Sequence, residues 1–158
     1  MTDSGIDVKR YAFRLLSYRG RSENELRDRL LKKGFPEKAV SQTLTYLKET
    51  GFIDDGALAM DLKRQAMEQK RLGYHAVRSL FQRRGISDDL AESTLIYDED
   101  VELASARSLL GKKRRSTGND LTLKEKRRLY NYLLRRGFSS SVIGKALEDF
   151  KFEEGGKE

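Results

Sequence analysis

Residues Leu80–Ser87 read LFQRRGIS, and the pattern stands twice more, as LLKKGFPE at Leu30–Glu37 and LLRRGFSS at Leu133–Ser140. Each copy sets two cations before a glycine and an apolar residue after it. A helix that closes in a Schellman motif has this signature. The glycine takes the left-handed C′ position, and the residue after it packs on the one four places before the glycine. These offsets pair Leu30 with Phe35, Phe81 with Ile86, and Leu133 with Phe138. Cations in a last helical turn complement the negative end of the macrodipole. Lys32, Lys33, Arg83, Arg84, Arg135 and Arg136 therefore have a structural reason for their positions, beside any role in contacting a partner.

The likeness extends outward from the glycines. Eight residues before them stand Leu26, Val77 and Leu129. Five and six residues after them stand Ala39-Val40, Leu90-Ala91 and Val142-Ile143, and ten after them Leu44, Leu95 and Leu147. Such spacing puts an apolar face on one helix before each glycine and on another after it. The glycines lie 51 and 52 residues apart, a period of tandem helical modules that bury their faces on one another.

Each module has room for a further helix upstream. In the first, Val8, Tyr11, Ala12 and Leu15 follow helical spacing. Ser22-x-x-Glu25 and Thr122-x-x-Glu125 read as capping boxes opening second helices. Gly51 closes the third helix of module one, pairing Leu47 with Phe52, and Asp54 or Asp55 caps the next, which runs through Leu58, Leu62 and Ala66 to about Arg71. The expected fold is all-α: three tandem three-helix, helix-turn-helix-like repeats, nine helices in an elongated curved array. The boundaries read as a tail at 1–5, repeats at 6–53, 54–98 and 99–152, and a tail at 153–158. A mobile basic loop is expected at 111–121.

Composition narrows the function. The 158 residues hold 36% charged and 37% hydrophobic side chains, one proline and no cysteine. Disulfides and thiolate metal sites are thereby excluded. No stretch is apolar enough to span a bilayer and the N-terminus lacks a signal-peptide pattern, so a soluble, cytoplasmic protein is expected; a monomer is expected as well. The net charge of +7 divides as +4 over 1–53, −1 over 54–98 and +4 over 99–158. Residues 112–136 alone carry ten cations (Lys112, Lys113, Arg114, Arg115, Lys124, Lys126, Arg127, Arg128, Arg135, Arg136) against Asp120 and Glu125. Such a segment attracts a polyanion, whether nucleic acid or an acidic protein face.

No phosphate loop, nucleophile elbow or nucleophile–base pair is present, and His75, the one histidine, has no partners at ligand spacing. Asp54-Asp55 reads as helix capping rather than an acid–base pair. The tyrosines read as core or core-edge residues more readily than as base-stacking platforms. Neither catalysis nor a cofactor is expected.

The tandem modules, GFIDD at Gly51–Asp55 and RLGYHAVRSLFQRRGI at Arg71–Ile86 resemble the RecX family, bacterial regulators of the RecA recombinase. The chain departs from the family pattern at Ala57 and Leu58, and at Tyr74 and His75, where a basic–aromatic pair and a proline are usual. The resemblance implies a non-catalytic protein that binds the groove of the RecA–DNA filament. There it limits filament growth, strand exchange, ATP hydrolysis and coprotease activity in DNA repair and SOS control. It also implies Arg64 and Arg71 as candidate contacts. With them stand Lys32, Lys33, Arg83, Arg84, Lys112, Lys113, Arg114, Arg115, Lys124, Arg127, Arg128, Arg135 and Arg136, with DNA touched weakly through the basic surface. Two alternatives remain open: an autonomous, largely sequence-nonspecific DNA binder, and a helical scaffold for an acidic protein.

Overall fold

Gly34, Gly51, Gly85 and Gly137 all adopt positive φ, between 71° and 101°. These are the four glycines read from the sequence as helix endings, and the chain reverses at each. The computed structural model describes residues 3–114 and 121–153. Its described residues form nine α-helices: α1 (Asp3–Tyr18), α2 (Glu23–Lys33), α3 (Glu37–Glu49), α4 (Asp55–Arg64), α5 (Tyr74–Arg83), α6 (Asp88–Thr94), α7 (Glu99–Arg114), α8 (Leu123–Arg135) and α9 (Ser140–Glu148). A two-residue parallel pair joins β1 (Leu121–Thr122) to β2 (Phe152–Glu153).

The chain divides into two compact units, Met1–Leu62 with Leu80–Thr94, and Lys63–Ser79 with Leu95–Glu158. The first unit is built around Val8, Ala12 and Leu15 of α1, Leu26 and Leu30 of α2, Val40, Leu44 and Leu47 of α3, and Ile53. In the second, Ala106, Leu109 and Leu110 of α7 pack with Leu133 of α8, Phe138, and Val142, Ile143, Ala146 and Leu147 of α9. Each fully buried large aliphatic side chain among these stabilises its unit by about 1.5–3 kcal/mol. The apolar positions that recur around Gly34 and Gly137 lie in or against these two clusters, and Val77, Phe81, Ile86, Ala91 and Leu95 of the middle repeat are buried as well. Helices of the middle repeat divide between the units, with α6 in the first and the start of α5 in the second.

The three Schellman endings form as spaced. Gly34 N donates to Leu31 O (3.0 Å) and Phe35 N to Leu30 O (3.3 Å); Gly85 N donates to Gln82 O (3.1 Å) and Ile86 N to Phe81 O (3.0 Å); Gly137 N donates to Leu134 O (3.1 Å) and Phe138 N to Leu133 O (3.2 Å). At Gly51 the ending is one residue wider. Ile53 N, rather than Phe52 N, reaches Leu47 O at 3.1 Å, which buries Ile53 and leaves Phe52 half-exposed against Phe13.

Other boundaries differ from the sequence reading for local reasons. The helix expected to reach Arg71 ends as α4 at Arg64, and a π turn takes Gln65–Gln69. Lys70 N donates to Gln65 O (3.1 Å) and Leu72 N to Ala66 O (2.9 Å), so the reversal falls on Arg71, whose φ of 50° makes it the one described non-glycine residue with positive φ. Helix α7 runs through Gly111 to Arg114, four residues into the stretch expected as loop, its last turn lined by three cations that favour a helix C-terminus. Asp54 caps α4 by accepting from Ala57 N (3.0 Å), while Asp55 accepts from Glu23 N (3.0 Å) and ties the start of α4 to the start of α2.

One kind of joint recurs inside each unit. In the first, Ser22, the N-cap of α2, donates its hydroxyl to Arg84 O (2.6 Å), and Asn24 donates its amide to Gly85 O (3.1 Å). In the second, Gly73 N, at the start of α5, donates to Arg136 O (2.8 Å) and His75 N to Gly137 O (3.2 Å). Both joints are crowded. A Cβ on Gly85 would lie 2.6 Å from Ser22 Oγ, and a Cβ on Gly137 would lie 2.3 Å from Ala76 Cβ.

Candidate polyanion-binding face

Helix α8 opens with a full capping box. Glu125 N donates to Thr122 Oγ1 (3.3 Å), and Thr122 N donates back to a Glu125 carboxylate oxygen (2.8 Å). That backbone amide, with the Thr122 hydroxyl beside it, holds the Glu125 carboxyl below its usual range. From this fixed start, Glu125, Arg128, Tyr132 and Arg135 fall at i, i+3, i+7 and i+10 on one helical face. They line a cleft of about 360 Å³ floored by Leu121 and Leu129 and closed on one side by Lys113 of α7.

Cations also sit over rings in the cleft and elsewhere in this unit. Lys113 Nζ lies 4.3 Å from the centre of the Tyr132 ring and Lys126 Nζ 4.7 Å from that of Phe152. The Arg114 guanidinium is 5.4 Å from the Phe150 ring and that of Arg136 is 5.6 Å from Tyr132. At exposed positions each such contact contributes about 0.5–1 kcal/mol, enough to orient a long side chain without neutralising it. No acid forms an ion pair with Arg128 or Arg135 among the described residues. Glu125, the one carboxylate in the cleft wall, is engaged by its own cap. The cleft is thus a concave, net-positive surface with an apolar floor, able to take a phosphate or carboxylate together with an attached ring.

The sequence-derived candidates separate by setting. Lys113, Arg128 and Arg135 meet at the cleft. Lys112 and Arg114 share the exposed end of α7, and Lys124 and Arg127 are exposed on α8 outside the cleft lining. Arg136 is half-buried and its Nε has no hydrogen-bond partner. Arg64 is exposed at the end of α4, and Arg71 is partly buried at the left-handed reversal. Arg115 lies outside the described residues. Lys32, Lys33 and Arg83 are exposed in the first unit.

Arg84 is different. Its Nε donates to Glu25 (3.0 Å) and its Nη2 to Gly20 O (2.9 Å), while Arg19 holds the other Glu25 oxygen at 2.6 Å. Burial alone would raise the Glu25 pKa, but the hydrogen bonds from Arg19 and Arg84 outweigh it and hold the carboxyl low. The Ser22 capping box is accordingly half-made, because Glu25 is committed to arginines. Sequence reasoning did not place Tyr132 or Asn131 among the site residues. The signal was present in the spacing of Tyr132, four residues after Arg128 and three before Arg135.

A model of the first three-helix domain of RecX matches residues 9–47, and a model of its third three-helix domain matches residues 100–147. The chain is 32% identical over 139 residues to regulatory protein RecX of Geobacillus kaustophilus, an alignment spanning 87% of this chain and 52% of that protein. It is 32% identical over 133 residues to regulatory protein RecX of Chlorobium limicola, spanning 84% and 82%. The chain thus spans about half the length of the Geobacillus relative but most of the Chlorobium one. Among solved structures, RecX from Lactobacillus salivarius superposes with a TM-score of 0.79 at 23% identity, covering 94% of this chain and 97% of that one. That likeness speaks for the fold. Two domain models in the expected order, relatives of this identity and the three-helix architecture agree: the chain belongs to the RecX family.

Proposed function

We propose that this chain is a non-catalytic, cytoplasmic regulator of the RecA recombinase that binds the RecA–DNA filament and limits its growth, strand exchange, ATP hydrolysis and coprotease activity. The observation that carries the reading is the net-positive cleft on α8, where Lys113, Arg128 and Arg135 outnumber Glu125, set within a RecX-family fold. A filament of protein on DNA offers phosphates and acidic side chains together, and a face that mixes cations with rings suits both. Each of the three modules keeps its own cationic helix ending, as a partner that is itself a repeating polymer would require.

The test is RecA-dependent ATP hydrolysis on single-stranded DNA with the chain titrated in below stoichiometry, and binding to naked DNA measured alongside. Inhibition at concentrations too low to coat the DNA is the expected outcome. The same cleft favours one other reading, an autonomous nonspecific DNA binder. That reading predicts inhibition only when the DNA is saturated, with log affinity falling by about 0.7 per phosphate contact against log salt.

A further inference from the structure

The joints in the two units obey one rule. A donor on the N-cap residue of a second helix (Ser22 Oγ or Gly73 N) bonds the C-cap carbonyl of another second helix (Arg84 O or Arg136 O). A donor two residues further on (Asn24 Nδ2 or His75 N) bonds the carbonyl of the left-handed glycine, Gly85 or Gly137. The third copy of the ending, at Lys33 and Gly34, has the same Schellman geometry and no such visitor. Neither carbonyl accepts a hydrogen bond from a described residue, Gly34 is exposed, and no described atom beyond its chain neighbours lies within 4 Å of where its Cβ would stand.

We infer that this open C-cap of α2, the carbonyls of Lys33 and Gly34, is a docking socket for the first turn of a helix on a protein partner. The incoming helix carries donors at its N-cap and second positions, with acidic residues beside them. The inference rests on the filament reading above, in which that partner is a recombinase subunit.

Electrostatics select this occupant. The carbonyl end of α2 is the negative pole of its macrodipole, and the first turn of a helix is a positive one, so the two align end to end. Lys32, Lys33 and Lys38 are exposed within four residues of Gly34 in sequence and outnumber the exposed Glu37 there, a balance that suits the acids helix first turns favour. A nucleic-acid phosphate at the same point would face two carbonyl lone pairs. A second copy of this chain also offers acidic first turns, Asp88 and Asp89 of α6 and Glu99 and Asp100 of α7, so the oligomeric state is measured beside inhibition.

The test is Gly34→Asn. Asparagine tolerates the left-handed backbone, and the open space accepts its side chain, so the fold is kept while the socket is filled. The half-inhibitory concentration against RecA ATP hydrolysis on single-stranded DNA is expected to rise about tenfold, with naked-DNA binding unchanged. Lys32→Glu leaves the backbone untouched and should weaken inhibition in the same direction, and it carries the test should Gly34→Asn lower the melting temperature. Equal inhibition by wild type and both variants overturns the socket and leaves the filament reading standing. A wild-type chain that does not inhibit overturns both. Loss of naked-DNA binding in Gly34→Asn makes the socket a nucleic-acid contact. A wild-type dimer on sedimentation that Gly34→Asn returns to monomer makes the occupant a second copy. Either result overturns the inference.

Discussion

At the scale of single residues, the three module glycines share a backbone angle but not a neighbourhood. Replacing any of them with alanine forces a Cβ into positive φ, at about 1–2 kcal/mol. Gly85 and Gly137 carry a second constraint, because their Cβ atoms would collide with Ser22 and Ala76, whereas Gly34 faces open space. Thermal unfolding is therefore expected to rank Gly34→Ala well above Gly85→Ala and Gly137→Ala. Arg71 shows the opposite case, a long side chain held where glycine usually stands. Arg71→Gly relieves that backbone and is expected to leave stability unchanged or raise it by up to about 1 kcal/mol. The same change weakens filament inhibition if the guanidinium is a contact. A gain in stability paired with undiminished inhibition would remove Arg71 from the interface. The glycine angles were legible in the sequence because Schellman offsets are local. The left-handed Arg71 was not, since the residue that shifts the reversal onto it enters through a π turn that no periodicity announces.

At the scale of elements, each cap separates charges that composition alone treats alike. Arg83 and Arg84 are neighbours in sequence, yet Arg83 is exposed while Arg84 bridges Glu25 and Gly20 O within the first unit. Arg84→Gln is expected to cost about 1.5–3 kcal/mol by chemical denaturation, the scale of hydrogen bonds to a charged group. Arg83→Gln is expected to stay within about 0.5 kcal/mol of wild type. In the second unit, buried Glu102 accepts from Tyr74 N (3.0 and 3.1 Å) at the start of α5, and burial raises its carboxyl above the ordinary glutamate range. A raised carboxyl favours the protonated fold. Glu102 therefore contributes most below about pH 4.5, and the contribution is lost as pH rises through its folded pKa. The stability of wild type minus that of Glu102→Gln, measured across pH, should shrink in that direction; a difference that grows with pH would refute the assignment. Helix existence was legible from apolar spacing, but the end of α7 was not, because Gly111 is a weak helix former and the buried Leu109 and Leu110 before it carry the helix on.

At the scale of the whole molecule, the basic balance resolves into an engaged part and an available part. Arg128→Gln with Arg135→Gln is expected to lower the slope of log DNA affinity against log salt by about 1.4, two contacts' worth on a single strand, without moving the melting temperature. An unchanged slope would exclude the cleft from DNA contact. The modular period, the all-α class and the basic segment were readable because they are one-dimensional patterns. The cleft was not, since it depends on α7 reaching Lys113 and on Tyr132 turning toward it. The joints were hidden for a related reason, being meetings of segments some sixty residues apart, and they differ in what they demand of the chain. The one in the second unit is made wholly of main-chain atoms, Gly73 N, His75 N, Arg136 O and Gly137 O, and the one in the first draws its donors from the side chains of Ser22 and Asn24. Mutational tolerance should therefore be split unevenly along the molecule: in a randomised library, position 136 and, proline excepted, position 75 vary between immovable glycines at 73 and 137, while positions 22 and 24 keep small polar donors.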